Sequence, residues 1–326
     1  MKKEQQTKTP EQIQKQKDFK LKMKNFLGVK NIWSDIKSIP NAFKWFLVVA
    51  TVIIIVFNFV SVNAKQGQSV FLPTQQYDNV LAHGSLFGNS KSAATAIAVL
   101  YSLNGIAAFT GLLSVAMMTF NKGSQYFWGL MNAIFFGLFS LSIGYVGDFF
   151  MNIILILGAP LGWYLFEVVG YGNRKQETKG WRFNLAFYTI LIVVMFIVVM
   201  FWYWALPNAS TDLFGKNNNQ YLNGQLNADG TPILGGLNNP NINGKNLQIL
   251  DGVANGMQTV GYGMQLANLN QQFYVWLAVD VVKVLKFTGL AGSDTLNINM
   301  LIQFGVWLII ALYGLYERNF KSLFKK

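Results

Sequence analysis

Cysteine is absent from this 326-residue chain, and histidine occurs once, as His83. Disulfides, thiolate metal sites, iron–sulfur clusters and cysteine nucleophiles are therefore excluded. A single histidine also leaves no material for a histidine-built metal cage or proton relay. Charge is scarce: Asp, Glu, Lys and Arg make up 12% of the residues, about half the roughly 25% of a soluble domain. So few charges do not clothe a water-soluble surface of this size, which argues against a cytosolic enzyme. Negative charge is the scarcer sign, 14 acidic against 26 basic residues, for a net +12. No P-loop is present, so the chain itself is not expected to hydrolyse ATP. Neither a Gly-x-Ser-x-Gly elbow nor an HExxH sequence occurs. The expectation is a non-enzyme with no cofactor, no metal and no catalytic residues.

What the chain has is apolar residues, 52% of the total, with 15% aromatics. A bilayer core of about 30 Å needs about 20 largely apolar helical residues. Uncharged windows of that order run over 45–64, 92–121, 123–147, 149–166 and 183–206. The fifth ends in Phe201-Trp202-Tyr203-Trp204, an interfacial aromatic belt. A long window over 252–279 is broken by Asn268-Leu269-Asn270-Gln271-Gln272 into a weakly apolar sixth helix and a seventh that starts near Phe273. The eighth runs over 296–316. The sequence therefore predicts an all-α membrane protein with eight spans.

Lysine and arginine orient it. Eleven lysines fall within residues 2–44, and Arg174, Lys175, Lys179 and Arg182 lie between spans four and five. Arg318, Lys321, Lys325 and Lys326 close the chain. An even number of spans puts all three basic segments on one side, the cytoplasmic side by the positive-inside rule. The net charge is thus read as orientation in a cell membrane, with both termini cytoplasmic, and not as nucleic-acid binding. The basic region before the first span is too long for a cleaved signal. Phe19, Met23, Phe26 and Leu27 fall on one side of the lysine-rich segment. That fits a helix lying on anionic lipid, and a disordered basic tail fits equally well. Residues 207–249 are rich in Asn and Gly and read as a loosely structured extracytoplasmic loop.

The chain also repeats itself. Trp128 is followed four residues later by Asn132, and Trp276 by Asp280, one helical turn in each case. Gly162-Trp163-Tyr164-Leu165-Phe166-Glu167 is loosely echoed by Gly314-Leu315-Tyr316-Glu317. Spans two to four and six to eight then form two related three-helix units with span five between them. Parallel repeats of this kind occur in transporters, with substrate near the midplane between them.

Asp280 is the most informative residue. A carboxylate in mid-span costs about 2.5–3.5 kcal/mol on insertion scales, so it faces a polar cavity or a partner. Lys283, one turn on, is the local partner. Asp148, at the start of span four, reads as a helix cap. Asn132 and Asn152 lie within spans and need partners, supplied by other helices or by a ligand. Gln258 and Gln265 can line the same polar path. Phe273, Trp276, Trp128 and Trp163 offer faces for a flat, cationic ring. The candidate substrate-binding set is therefore Phe273, Trp276, Asp280, Asn152, Asn132, Trp128, Gln258 and Gln265.

Thr110-Gly111-Leu112-Leu113-Ser114-Val115, Trp128-Gly129-Leu130-Met131-Asn132, Gly144-Tyr145-Val146-Gly147-Asp148 with Asn152 and Gly162-Trp163-Tyr164, Leu250-Asp251, and Trp276-Leu277-Ala278-Val279-Asp280-Val281 together resemble the PnuC family of vitamin transporters. The family is best known for nicotinamide riboside. The resemblance covers roughly residues 92–317. It implies a SWEET-like core of three plus one plus three helices, with the first span additional. It implies facilitated diffusion of an unphosphorylated vitamin precursor, trapped afterwards by a cytosolic kinase. The family's Trp-x-x-Trp, followed four residues on by Asn, reads Phe273-x-x-Trp276 followed by Asp280 here. A carboxylate in that place favours a cation, which nicotinamide riboside and thiamine carry and riboflavin does not.

The expected organisation is a basic cytoplasmic segment over 1–44, an extra transmembrane helix over 45–64, a first three-helix unit over 92–168 and a linker helix over 181–206. The extracytoplasmic loop over 207–249, a second three-helix unit over 250–317 and a basic cytoplasmic tail over 318–326 complete it. The expected partners are a small vitamin precursor, membrane lipid and a cytosolic kinase, with homo-oligomerisation left open. Thiamine or another vitamin or nucleoside is the first alternative substrate, and a SWEET-type sugar facilitator the second. A membrane enzyme using Asp148, Asp251 or His83 is the weakest reading.

Overall fold

The computed structural model of the chain describes residues 10–61, 69–85, 87–173, 181–216, 219–224, 243–290 and 298–321. Arg174, Lys175, Lys179, Lys325 and Lys326, and the middle of the Asn/Gly-rich loop, lie outside them. The described chain is nearly all helical, with eleven α-helices. They are α1 (Pro10–Met23), α2 (Ile32–Ser38), α3 (Asn41–Phe59), α4 (Leu72–His83), α5 (Lys91–Thr119), α6 (Gln125–Ser142), α7 (Val146–Trp163), α8 (Trp181–Phe214), α9 (Gly244–Leu266), α10 (Gln272–Phe287) and α11 (Ile298–Leu315). Each of the eight expected spans overlaps one of them. Among the described residues, five stretches are long and apolar enough to cross a membrane: Asn41–Phe59, Lys91–Thr119, Val146–Val168, Asn184–Phe214 and Met300–Phe320. The helices α6, α9 and α10 lie outside that set. Of these, α9 carries Asp251 and several amides, and α10 has 16 residues that include Asp280, Lys283 and Lys286.

On α3, Phe43, Leu47, Ala50, Ile54 and Asn58 are buried. Their spacing of three or four makes one face, which packs on Leu112, Ala116 and Met117 of α5 and Ile310 of α11. Val48, Val49 and Val52 on the other face are exposed, as a lipid-facing surface requires. Asn58 and Asn104 hydrogen-bond across the buried seam. Helix α4 is an element the hydropathy windows do not reveal, because its Thr, Gln, Asp and Asn residues keep it polar. A bridge between Val60 and Phe71 and the stacked rings of Phe59 and Phe71 tie its start to the end of α3.

The fifth span runs further than expected. Helix α8 has 34 residues and passes through Pro207 to Phe214, about 51 Å at 1.5 Å per residue. Proline removes the bond that the carbonyl four residues earlier would accept. That carbonyl, on Tyr203, accepts instead from Gln248 Nε2 at 2.7 Å. Asn219 Nδ2 donates to the carbonyl of Pro207 itself, also at 2.7 Å. The helix therefore continues, and residues 207–214 of the expected loop are helical. Gln220–Leu222 forms a 3-10 turn with Tyr221 fully buried, and α9 begins at Gly244 inside the same expected loop. Tyr221 packs under the start of α9, where its carbonyl sits so close to Gly244 that a Cβ there would have no room.

Local features recur along the chain. The α5–α6 turn holds Asn121 at φ 55° and the α9–α10 turn holds Asn268 at φ 51°, the left-handed region that Asn tolerates best after Gly. Both α7 and α11 have 18 residues and both end in a π-helical turn, Tyr164–Val168 and Tyr316–Phe320. The second residue of α6, Tyr126, presses its ring against Gly162 of α7. The second residue of α10, Phe273, does the same against Gly314 of α11.

Candidate functional site

Six helices enclose a cavity of about 820 Å³, counting the space at its mouth. Gly111, Ser114 and Met118 of α5, Gln125, Tyr126, Gly129 and Asn132 of α6, and Leu155 and Ala159 of α7 form one wall. Gln258, Tyr262 and Gln265 of α9, Trp276, Val279 and Asp280 of α10, and Phe304, Trp307 and Ala311 of α11 form the other. These positions cluster toward the end of the bundle that carries the α5–α6 and α9–α10 turns.

The lining is mostly apolar with a few polar groups aimed at the space. Gln258 Oε1 and the indole nitrogens of Trp276 and Trp307 are buried without a hydrogen-bond partner. Buried polar groups are normally paired, so orphans at a cavity wall point to a missing ligand or water. Asp280 makes no hydrogen bond or ion pair among the described residues and is buried. Gln265 Nε2 reaches Gln125 Oε1 at 3.4 Å, and the Tyr126 hydroxyl reaches the Gln265 carbonyl at 3.4 Å, so the two walls touch at the turn end. Asn132 Nδ2 donates to the Ala107 carbonyl at 2.7 Å, which crosses from α6 to α5.

Five of the eight candidate residues, Trp276, Asp280, Asn132, Gln258 and Gln265, line this one cavity. Three do not. Phe273 is fully buried against Gly314, a wedge between helices with no face left for a ring to stack on. Asn152 lies against Gly137, where α6 and α7 approach closely, and its amide donates to the Asp148 carbonyl one turn back at 2.7 Å. Trp128 packs on Phe109 and Phe127 outside the cavity. Its misplacement has a register cause. The tryptophans Trp128 and Trp276 are 148 residues apart, but α6 and α10 start 147 apart, at Gln125 and Gln272. The left-handed Asn121 and Asn268, and the wedges Tyr126 and Phe273, share the shift of 147. Gly129, not Trp128, therefore faces the cavity where Trp276 does.

The local partner expected for Asp280 is engaged elsewhere. Lys283 pairs with Asp148 of α7. Lys286 pairs with Asp251 of α9 at 2.7 Å and stands 3.6 Å from Asp148. Asp148 is thus an ion-pair residue and makes no capping bond at the start of α7. The four side chains are 0–3% exposed. The Tyr221 hydroxyl donates to Asp251 at 3.0 Å, and the Tyr145 ring lies 4.3 Å from the Lys286 ammonium. Burial, and then the Asp251 carboxylate, push the Tyr221 hydroxyl well above the usual phenol range. This cluster joins the starts of α7 and α9 to the end of α10, at the end of the bundle away from the turns. Its sequence signal was the pair Lys283 and Lys286 at i and i+3, two cations on one helix face next to Asp280.

The model of the nicotinamide mononucleotide transporter family matches residues 101–319. The crystal structure of a vitamin B3 transporter, PnuC, is similar to the chain, at 16% identity and a TM-score of 0.45, over 77% of this chain and 97% of that one. No curated protein matches the chain. The family match spans most of the sequence and every cavity-lining residue, so the chain belongs to the nicotinamide mononucleotide transporter (PnuC) family of membrane transporters.

Proposed function

We propose that the chain takes up an unphosphorylated vitamin precursor carrying a positively charged ring, nicotinamide riboside before thiamine. The observation that carries this is the charge of the cavity. Its lining holds one carboxylate, Asp280, and no lysine or arginine. A mononucleotide, the solute in the family's name, would bring a phosphate with no cation to meet it, and burying an unpaired phosphate is costly. A riboside brings a pyridinium for Asp280 and for the Trp276 face, where a cation–π contact contributes about 0.5–2 kcal/mol. Its hydroxyls suit Gln258, Gln265 and the free indole N–H groups.

The architecture in this reading is eight spans, α3 and α5 to α11, with a SWEET-like three-plus-one-plus-three core and α8 as the linker. The recurring turns, π-helical ends and glycine-seated rings support two related units. Transport is facilitated diffusion by rocking of those units, with the buried ion-pair cluster closing the end away from the turns and a cytosolic kinase trapping the solute. The chain sits in the cell membrane with both termini cytoplasmic, as the lysine distribution supports.

Calorimetric titration of the purified protein with nicotinamide riboside, its mononucleotide, thiamine and riboflavin tests the substrate. Saturable riboside binding that Trp276→Ala weakens about tenfold or more, with weaker mononucleotide binding, is expected. Tighter binding of the mononucleotide overturns the charge argument.

A further inference from the structure

The N-terminal segment, which precedes the family match, builds a second pocket. After α1 the chain turns through Leu27 at φ 58° and Gly28 at φ 72°. Gly28 lies against the backbone of Gly123 and Ser124, too close for a Cβ. Asp35 then accepts from the Ser124 hydroxyl at 2.6 Å, and Leu27 buries itself with Tyr126, Trp163 and Phe166. The segment is thus clamped to the α5–α6 turn and the end of α7.

Between the segment and α7 lies a pocket lined by Leu21, Lys22, Lys24, Asn25, Lys30, Asn31, Trp163 and Glu167. Three ammonium groups outnumber the single carboxylate of Glu167, which faces Gly123. Trp163 is 1% exposed, yet its indole nitrogen has no hydrogen-bond partner. A buried N–H donor beside three lysines wants an acceptor with negative charge. Leu21, on the same pocket, is 72% exposed, and Phe19, Phe26, Val29 and Trp33 of the same N-terminal segment are exposed too. Lysines interleaved with exposed apolar side chains at the end of a membrane bundle match an interface of headgroups and acyl chains.

We propose that this pocket binds the phosphate of an anionic phospholipid headgroup, with Lys22, Lys24 and Lys30 as its cations and the Trp163 N–H as a buried donor. The bound lipid fastens the N-terminal segment to the α5–α6 turn and so to the wall of the transport cavity at Tyr126. A soluble phosphate ester shares the headgroup chemistry but would not use the apolar rim.

The test is native mass spectrometry of the full-length protein in detergent, with dioleoyl phosphatidylglycerol and dioleoyl phosphatidylcholine as probes. Phosphatidylglycerol should be retained preferentially, and Lys22→Gln/Lys24→Gln/Lys30→Gln should lower its retention by about fivefold or more. Lys17→Gln/Lys20→Gln/Lys37→Gln, which removes equal charge outside the pocket, should change it by less than about twofold. Trp163→Phe, which keeps the ring and loses the donor, should weaken it by about two- to threefold. Equal losses in the two triple variants would mean diffuse attraction and overturn the site. Displacement by glycerol phosphate at the same concentration would overturn the lipid assignment in favour of a soluble ester. Should the triple variant not fold, thermal stabilisation by phosphatidylglycerol, lost in Lys30→Gln and kept in Lys20→Gln, gives the same decision.

Discussion

Replacing Asp148 by Asn tests the buried ion-pair cluster most directly. The substitution keeps shape and removes one charge from a site where the partners are 0–3% exposed. Lys283 then loses its carboxylate, because Asp251 is already held by Lys286 at 2.7 Å. Breaking a buried pair costs about 3–5 kcal/mol, since it leaves a charge without compensation. The amide oxygen can still accept one hydrogen bond from Lys283, which places Asp148→Asn at the low end, about 3 kcal/mol. Lys283→Met should cost about the same, because Asp148 keeps only the more distant Lys286 at 3.6 Å. The double variant removes both charges and should cost no more than either single one, a coupling of about 3 kcal/mol. At about 2 °C per kcal/mol for a large chain, each single variant melts about 6 °C lower. Thermal unfolding of the purified protein in detergent, followed by tryptophan fluorescence, reads this out. A drop under about 2 °C in both single variants, or two drops that simply add in the double variant, would refute an ion-paired cluster.

Gly314→Ala puts a Cβ into the Phe273 ring and should destabilise by about 1–3 kcal/mol, with Phe273→Leu relieving part of it in the same melting assay. Gln248→Ala should cost about 1–3 kcal/mol by orphaning the Tyr203 carbonyl, and less in a Pro207→Ala background, where a backbone N–H returns to serve it. Asp280→Asn should weaken a cationic ligand more than a neutral one of the same shape in calorimetry, and equal losses would remove the charge argument. Trp128→Phe should leave ligand affinity within about twofold, since this ring packs outside the cavity, whereas Trp276→Ala should lower it about tenfold or more.

The helices were legible because long runs of uncharged, apolar residues favour helix. That Trp276 and Asp280 share one cavity wall was legible for a related reason: a carboxylate in an apolar run needs an explanation, and one helical turn is a distance that sequence fixes. Phe273, Asn152 and Trp128 were not, because which face of a helix meets a cavity depends on a register of one residue and on where glycines let neighbours approach. Asp148 and Lys283 are 135 residues apart, so their pairing is a property of the packed bundle that no local spacing announces. The length of α8 was hidden by Pro207, whose usual reading as a stop holds only when nothing else serves the freed carbonyl. The turn through Leu27 was invisible because leucine rarely adopts a left-handed backbone.

The rings of Tyr126 and Phe273 rest on glycine backbone, the first with one long hydroxyl bond to the Gln265 carbonyl and the second by contact alone. Such a seat resists separation but offers little resistance to tilt, so it behaves as a bearing. Both bearings lie at the end of the bundle with the turns. From Phe273, the lysines of α10 are ten and thirteen residues further along, a lever of about 15–20 Å at 1.5 Å per residue. A tilt of about 10° at the bearing would therefore move those ammonium groups by about 3 Å, a displacement comparable to an ion-pair distance. In the proposed rocking of the two units, a small rotation at one end would thereby be converted into making or breaking charge contacts at the other.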